Sequence, residues 1–185
     1  MITARTVTLR NGSKGTITPY HHYEEIPKHI LHSMHETMND IIRDGKTYPI
    51  KEEQTVEEFI EYYCKYFVAV LSDENDNFIG SFYIKPNYVG RSSHVCNGGF
   101  IVDRKQRGLG AASLLGETYG EWAPLLGYKS SVFNLVFVSN IASVKIWDKL
   151  GYTRAGLIRN AGLLRVGPNG EEEYVDAIVF QKLFV

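Results

Sequence analysis

Cysteine is scarce in this sequence: of 185 residues only Cys64 and Cys96 carry a thiol. Two cysteines cannot build a disulfide framework, and neither belongs to a zinc-ligand spacing. They suit a reducing compartment, so a cytoplasmic place of action is expected, with mitochondrial import left open. An excess of one charge is also lacking. Twenty Lys and Arg stand against 21 Asp and Glu, a formal net charge of −1. No basic block offers itself to nucleic acid or to an anionic membrane surface. No apolar run approaches the ~20 residues of a membrane span. The first residues, Met1-Ile2-Thr3-Ala4-Arg5, lack the apolar core of a secretory signal. Four of the six histidines are His21, His22, His29 and His32, but no Cys or paired carboxylate joins them at metal spacing. No metal is therefore expected. What remains, at 44% hydrophobic and 22% charged residues, is an ordinary globular composition, and the length argues for one domain over residues 1–185.

Periodicity and turn chemistry give the elements. Residues 6–9 and 15–18 form a short hairpin around Asn11-Gly12. Pro27 suits a first helical turn, and Ile30, Met34, Met38 and Ile41 follow at helical spacing until Asp44-Gly45. Thr55-Val56-Glu57-Glu58 is a capping box that opens a second helix through Tyr63. Residues 67–71 and 78–84 are predicted as antiparallel strands, and 98–102 as a third. A helix runs from Gly110 to about Trp122. The long apolar stretch 130–138 is predicted as a central strand. Residues 142–150 form a helix closed by Gly151, and 152–164 and 174–184 are two β-rich segments. The order β, β, α, α, β, β, β, α, β, α, β, β excludes regular β-α alternation and demands a mixed, mostly antiparallel sheet flanked by helices, an α+β arrangement within the broader α/β class.

Phe100-Ile101-Val102 leads into Arg107-Gly108-Leu109-Gly110-Ala111-Ala112, and that turn opens the third helix. Small residues admit a ligand close to the backbone. The unpaired N–H groups of the first helical turn and the helix dipole favour an anion in front of them. It lacks the Gly-Lys-Ser/Thr of a Walker loop, and no Gly-x-Gly-x-x-Gly follows a first strand. Plain turn chemistry is the simpler alternative.

A second cluster centres on Asn134 and Asn140. Six residues apart on one predicted strand, they would share a face. Asn is depleted in strands, so two on one apolar strand call for partners. Alternatively Asn140 caps the next helix and Asn134 bonds a neighbouring loop.

These segments carry a resemblance. Arg-x-x-Gly-x-Ala at 107–112 resembles the acyl-CoA motif of the GCN5-related N-acetyltransferase (GNAT) superfamily. The run from Asn140 to Tyr152 is similar to its second signature, Asn-x-x-Ala-x-x-x-Tyr-x-x-x-Gly-Phe, with Ser143, Trp147 and Tyr152 in the Ala, Tyr and Phe places. Gly45-Lys46-Thr47-Tyr48-Pro49, Phe82-Tyr83-Ile84-Lys85-Pro86-Asn87-Tyr88, 122–129, 133–140, 145–150 and Val175-Asp176-Ala177-Ile178 resemble more narrowly the yeast proline-analogue (L-azetidine-2-carboxylate) N-acetyltransferase family. The resemblance implies a GNAT fold with acetyl-CoA lodged in the splay between two central strands. It implies a cofactor site at Phe100, Ile101, Val102, Arg107, Gly108, Leu109, Gly110, Ala111, Ala112, Asn140 and Ser143. Substrate contacts fall to Asn97 and Asn134, and catalytic roles to Asn134 and Asn140. A homodimer is expected on the same ground.

The implied reaction moves an acetyl group from a thioester to the ring nitrogen of a small cyclic imino acid. An indole N–H is no usable proton donor, so Trp147 is not expected to act as the acid that a Tyr would supply; core packing is its simpler role. A backbone N–H of the 98–102 strand can polarise the carbonyl. Tyr48 and Pro49 could close a lid over the acceptor. Lys85-Pro86-Asn87-Tyr88 and His94 could wall an anionic substrate, or lie solvated. Other readings are acetylation of a polyamine or a protein N-terminus, or a non-catalytic acyl-CoA sensor.

Overall fold

Twelve regular elements follow in the expected order. They are β1 (Arg5–Thr8), β2 (Lys14–Tyr20), α1 (Lys28–Asp44), α2 (Val56–Phe59), β3 (Phe67–Asp73), β4 (Phe78–Pro86), β5 (Val95–Val102), α3 (Ala111–Leu125), β6 (Ser130–Phe137), α4 (Ile141–Lys149), β7 (Thr153–Leu164) and β8 (Glu173–Leu183). This computed structural model describes residues 1–184. The strands form one sheet in the order β1-β2-β3-β4-β5-β6-β8-β7. All neighbours are antiparallel except β5 and β6. Among the described residues, no helix is long and apolar enough to cross a membrane.

Period-two alternation splits the central strands between two cores. Phe67, Ala69 and Leu71 of β3, with Phe82 and Ile84 of β4, pack against Leu115, Tyr119 and Trp122 of α3. Val68 and Val70, with Tyr83, pack against α1 and α2. Coverage on both faces is why β3 and β4 read as continuous apolar runs. The buried stripe of α1 is Ile30, Met34, Met38 and Ile42; Ile41 packs at its margin. The capping box forms as expected: the Glu58 N–H donates to Thr55 Oγ1 at 3.2 Å, and the Thr55 N–H to Glu58 Oε2 at 2.8 Å. Beyond Phe59 the helix widens into a π turn, Ile60–Cys64, a local geometry frequent at functional sites.

Candidate active site

β5 and β6 pair only at Val95↔Ser130 and Cys96↔Ser131, and then part. The register of β6 against β8 slips between Phe133 and Val136, so Asn134 and Leu135 bulge from the ladder. The rings of Phe100, Phe133 and Trp147 fill the base of the gap, Phe100 and Phe133 each within 5.0 Å of the Trp147 ring centre. Above them opens a cavity of about 330 Å³, lined from β5 by Asn97, Gly98, Gly99, Phe100 and Val102, and from β6 by residues 133–137.

Alternation along β5 gives this cavity two ends. A Cβ on Gly98 would lie 2.4 Å from the Tyr119 ring of α3, whereas one on Gly99 would lie 2.4 Å from Tyr83 Cε1 and 2.8 Å from Tyr48 Oη. Neighbours that close leave room only for glycine at both positions. The Gly99 side, with Tyr48, Tyr62, Tyr83 and Asn97, is one end. Ala112, Ser143, Ile146 and Trp147 line the other. The Tyr48 hydroxyl donates to the Phe100 carbonyl at 3.3 Å and the Tyr63 hydroxyl to the Gly99 carbonyl at 3.3 Å. Burial pushes the phenols of Tyr48, Tyr63 and Tyr83 well above the ordinary tyrosine range, so this end presents neutral hydroxyls. Thr47, Tyr48 and Pro49 stand in its wall.

The asparagines occupy different local structures. Asn134, half-buried in the β6 bulge, forms a reciprocal amide pair with Asn87: its Nδ2 donates to Asn87 Oδ1 at 2.7 Å, and Asn87 Nδ2 donates back to Asn134 Oδ1 at 3.0 Å. This pairing fixes the carboxamide of Asn134. The alternative sequence reading, that Asn134 bonds a neighbouring loop, therefore holds, and the structure supplies the partner: Asn87, just beyond the end of β4. For Asn140 the cap reading holds and the shared-face reading is corrected. The residue is not on the strand with Asn134, because β6 ends at Phe137 and Asn140 caps α4, its Oδ1 accepting the Ser143 N–H at 3.3 Å. The bulge and the intervening turn break the period of two on which the shared-face argument rested. Asn97, Asn134 and Asn140 nevertheless all line the one cavity. Trp147 is buried, and its Nε1–H donates to Ser143 Oγ at 3.0 Å.

The Gly-rich turn leads to the α3 end. Gly108 and Gly110 hold φ of 84° and 76°, and Gly110 opens α3 without a side-chain cap. The first-turn N–H groups of a 15-residue helix are thus left to an anion. The turn is held by the hairpin of β1 and β2: the Arg10 N–H donates to the Leu109 carbonyl at 2.9 Å, and Arg10 Nη1 to the Gly108 carbonyl at 3.5 Å. Nothing in the local sequence around residue 10 signals that contact. Of the residues implied for the cofactor, Phe100, Val102, Ala112, Asn140 and Ser143 line the cavity. Arg107, Gly108, Leu109 and Gly110, in the turn before α3, and Ala111, its first residue, lie outside the cavity wall. The Ile101 side chain is buried on the opposite face, in the core with α1 and α2. An acyl-CoA fits this arrangement: an uncapped helix start suits its diphosphate, and the gap beside the unpaired edge of β5 suits its arm.

Comparison with known proteins agrees with this geometry. The acetyltransferase (GNAT) family profile matches residues 31–152. N-acetyltransferase aca1 of Schizosaccharomyces pombe is 39% identical over 172 residues, covering 84% of this chain and 80% of its own. A GCN5-related N-acetyltransferase from Kribbella flavida superposes with a TM-score of 0.78 at 23% identity, covering 90% of this chain and 97% of that one. The acetyltransferase yncA of Salmonella typhimurium, solved with acetyl-CoA, superposes with a TM-score of 0.76 at 16% identity over 91% of this chain and 94% of its own. With its split central sheet, glycine-rich helix start and this profile match, the chain belongs to the GNAT family of acetyl-CoA-dependent acetyltransferases.

Proposed function

We propose that this enzyme acetylates the ring nitrogen of a small cyclic imino acid such as azetidine-2-carboxylate or a hydroxyproline, and so detoxifies proline analogues. The observation that carries this reading is the acceptor end of the cavity. It is walled by Tyr48, Tyr62, Tyr83 and Pro49, with no acidic side chain in its lining. A polyamine site would set carboxylates along its wall, and a peptide acceptor would need an open groove. The resemblance to proline-analogue acetyltransferases across residues 45–178 supports the same substrate class.

Each part of the chain then has a task. Acetyl-CoA brings the acetyl group as a thioester. The N–H groups of residues 107–112 hold its diphosphate, and Asn140 and Ser143 lie along its arm. Backbone N–H groups of β5, freed where β6 departs, polarise the acetyl carbonyl. Asn97 and the braced carboxamide of Asn134 orient the acceptor so that its lone pair faces that carbonyl. Alignment of this kind supplies about 7–11 kcal/mol of a barrier. A secondary ring amine is largely protonated at neutral pH, comparable with the ~10.4 of lysine, so the site must take the neutral form. Asparagine cannot be the base, but its carbonyl accepts an N–H; as the new C–N bond forms the C–S bond breaks, and the proton lost by the nitrogen passes through water to the departing CoA thiolate. The same reading treats residues 1–185 as one catalytic domain, working as a homodimer in the cytoplasm.

A panel assay of acetyl-CoA consumption with azetidine-2-carboxylate, cis-4-hydroxyproline, spermidine and a short peptide tests the reading. Turnover is expected with the two ring compounds. Turnover confined to spermidine or the peptide would reject it.

A further inference from the structure

Lys85 has no task in the scheme above. It lies on β4 directly opposite Asn97 of β5, and opposed residues of an antiparallel pair project from the same face. Its ammonium sits 4.7 Å from the ring centre of Tyr62 and 4.6 Å from that of Tyr83, both of which line the acceptor end. The side chain is half-buried. No salt bridge joins it to a carboxylate among the described residues. Burial pulls its pKa below the ordinary lysine value, as expected of a cation withdrawn from water without a counter-ion. Two aromatic faces offset part of that cost. The ammonium is left without an anionic partner among the described residues.

We propose that Lys85 reads the carboxylate of the acceptor, making the enzyme selective for amines that carry an acid group beside the nitrogen. This rests on the imino-acid reading above and narrows it. Tyr62 and Tyr83 hold the ammonium just behind the cavity lining, on the strand opposite Asn97, so a carboxylate that reaches the edge of these rings meets a charge-assisted hydrogen bond while the acceptor nitrogen meets the carboxamides. The same positive charge repels a protonated polyamine. Lys85 is here a specificity-determining residue; it moves no proton in the reaction.

The test compares azetidine-2-carboxylate with its neutral carboxamide, in wild type, Lys85→Gln and Lys85→Arg. A hydrogen bond to a charged group is strong enough that its loss raises KM about 10-fold or more. Lys85→Gln should raise KM for the acid by that factor, leave KM for the carboxamide within about twofold, and change kcat little. Lys85→Arg should restore most of the preference. Acetyl-CoA binding, measured by calorimetry, should be equal in all three proteins and reports that they are folded. An equal rise in KM for both compounds, or no rise for the acid, would overturn the role of Lys85. A wild type that turns over neither compound would remove the imino-acid reading, and this inference with it.

Discussion

Gly99→Ala is the sharpest probe of how the acceptor end is built. The new methyl carbon would sit 2.4 Å from Tyr83 Cε1, 2.7 Å from Cζ and 2.8 Å from Tyr48 Oη, where ordinary contact begins near 3.4 Å. The Tyr83 ring must therefore retreat by about 1 Å, the difference between those distances. It is 4% exposed, with the Tyr63 ring edge-on at 4.9 Å and the Tyr62 ring at 6.1 Å. The free volume it can take is the cavity itself. Overpacking of this kind costs about 1–3 kcal/mol, which for a chain of this size lowers Tm by roughly 2–12 °C. The kinetic effect should be selective. KM for the ring acceptor should rise about 10-fold or more, while the affinity for acetyl-CoA, bound at the other end, stays near wild type. Gly98→Ala is the control, since its methyl meets Tyr119 beneath α3 instead. It should lower Tm comparably and spare the acceptor constant. Thermal melts, acceptor kinetics and calorimetry with acetyl-CoA on both variants decide the matter. Wild-type Tm and acceptor KM in Gly99→Ala would refute the two-ended cavity, as would equal loss of acceptor affinity in both.

Asn140→Ala removes both a helix cap, worth about 1 kcal/mol, and the carboxamide proposed to meet the arm of acetyl-CoA. kcat/KM should fall at least 10-fold, and wild-type kinetics would take Asn140 out of the site. Trp147→Phe keeps an aromatic ring in the cluster but loses the bond to Ser143 and part of the buried indole volume, so Tm should fall while kcat stays within about 10-fold of wild type; a far larger loss of kcat in the folded variant would give the indole a chemical role. Burial raises Cys64 to about 12 and Cys96 to about 11. The reactive thiolate is therefore rare at pH 8 and grows only as pH climbs toward those values. Alkylation by iodoacetamide should be slow at pH 8 in the folded protein, faster at higher pH, and rapid in denaturant. Rapid native-state labelling at pH 8 would contradict the buried assignment.

Local signals made most of the architecture legible. The capping box at Thr55, the stripe through Ile30, Met34 and Met38, and the turn at Gly108 and Gly110 each declare themselves within a few residues. The element order demanded a mixed sheet, and the parting of two central strands came only with the family resemblance; that the pair is β5 and β6, and parallel, is seen in the structure. What escaped was non-local. Asn87 and Asn134 lie 47 positions apart and pair only because β6 bulges, and no window on the sequence contains both. The same bulge, with the turn after Phe137, moved Asn140 from strand to cap. Ile101 was grouped with Phe100 and Val102 by position, yet alternation sends its side chain to the other core. Nothing in the sequence marks Tyr62 or Tyr83, and their place in the cavity wall follows from the π turn and from Gly99, whose missing side chain is informative only once its neighbours are known.

The grip of Arg10 on the carbonyls of Gly108 and Leu109 has a practical consequence. The donor-side turn takes its shape from a hairpin at the far margin of the sheet, close to the start of the chain. Fusing a bulky tag against the first residues would loosen the proposed seat of the diphosphate, and trimming the first dozen would also remove β1 and the buried Leu9. Either protein would bind its nucleotide poorly, a defect easily mistaken for a damaged catalytic centre, though only the trimmed one should also melt markedly earlier.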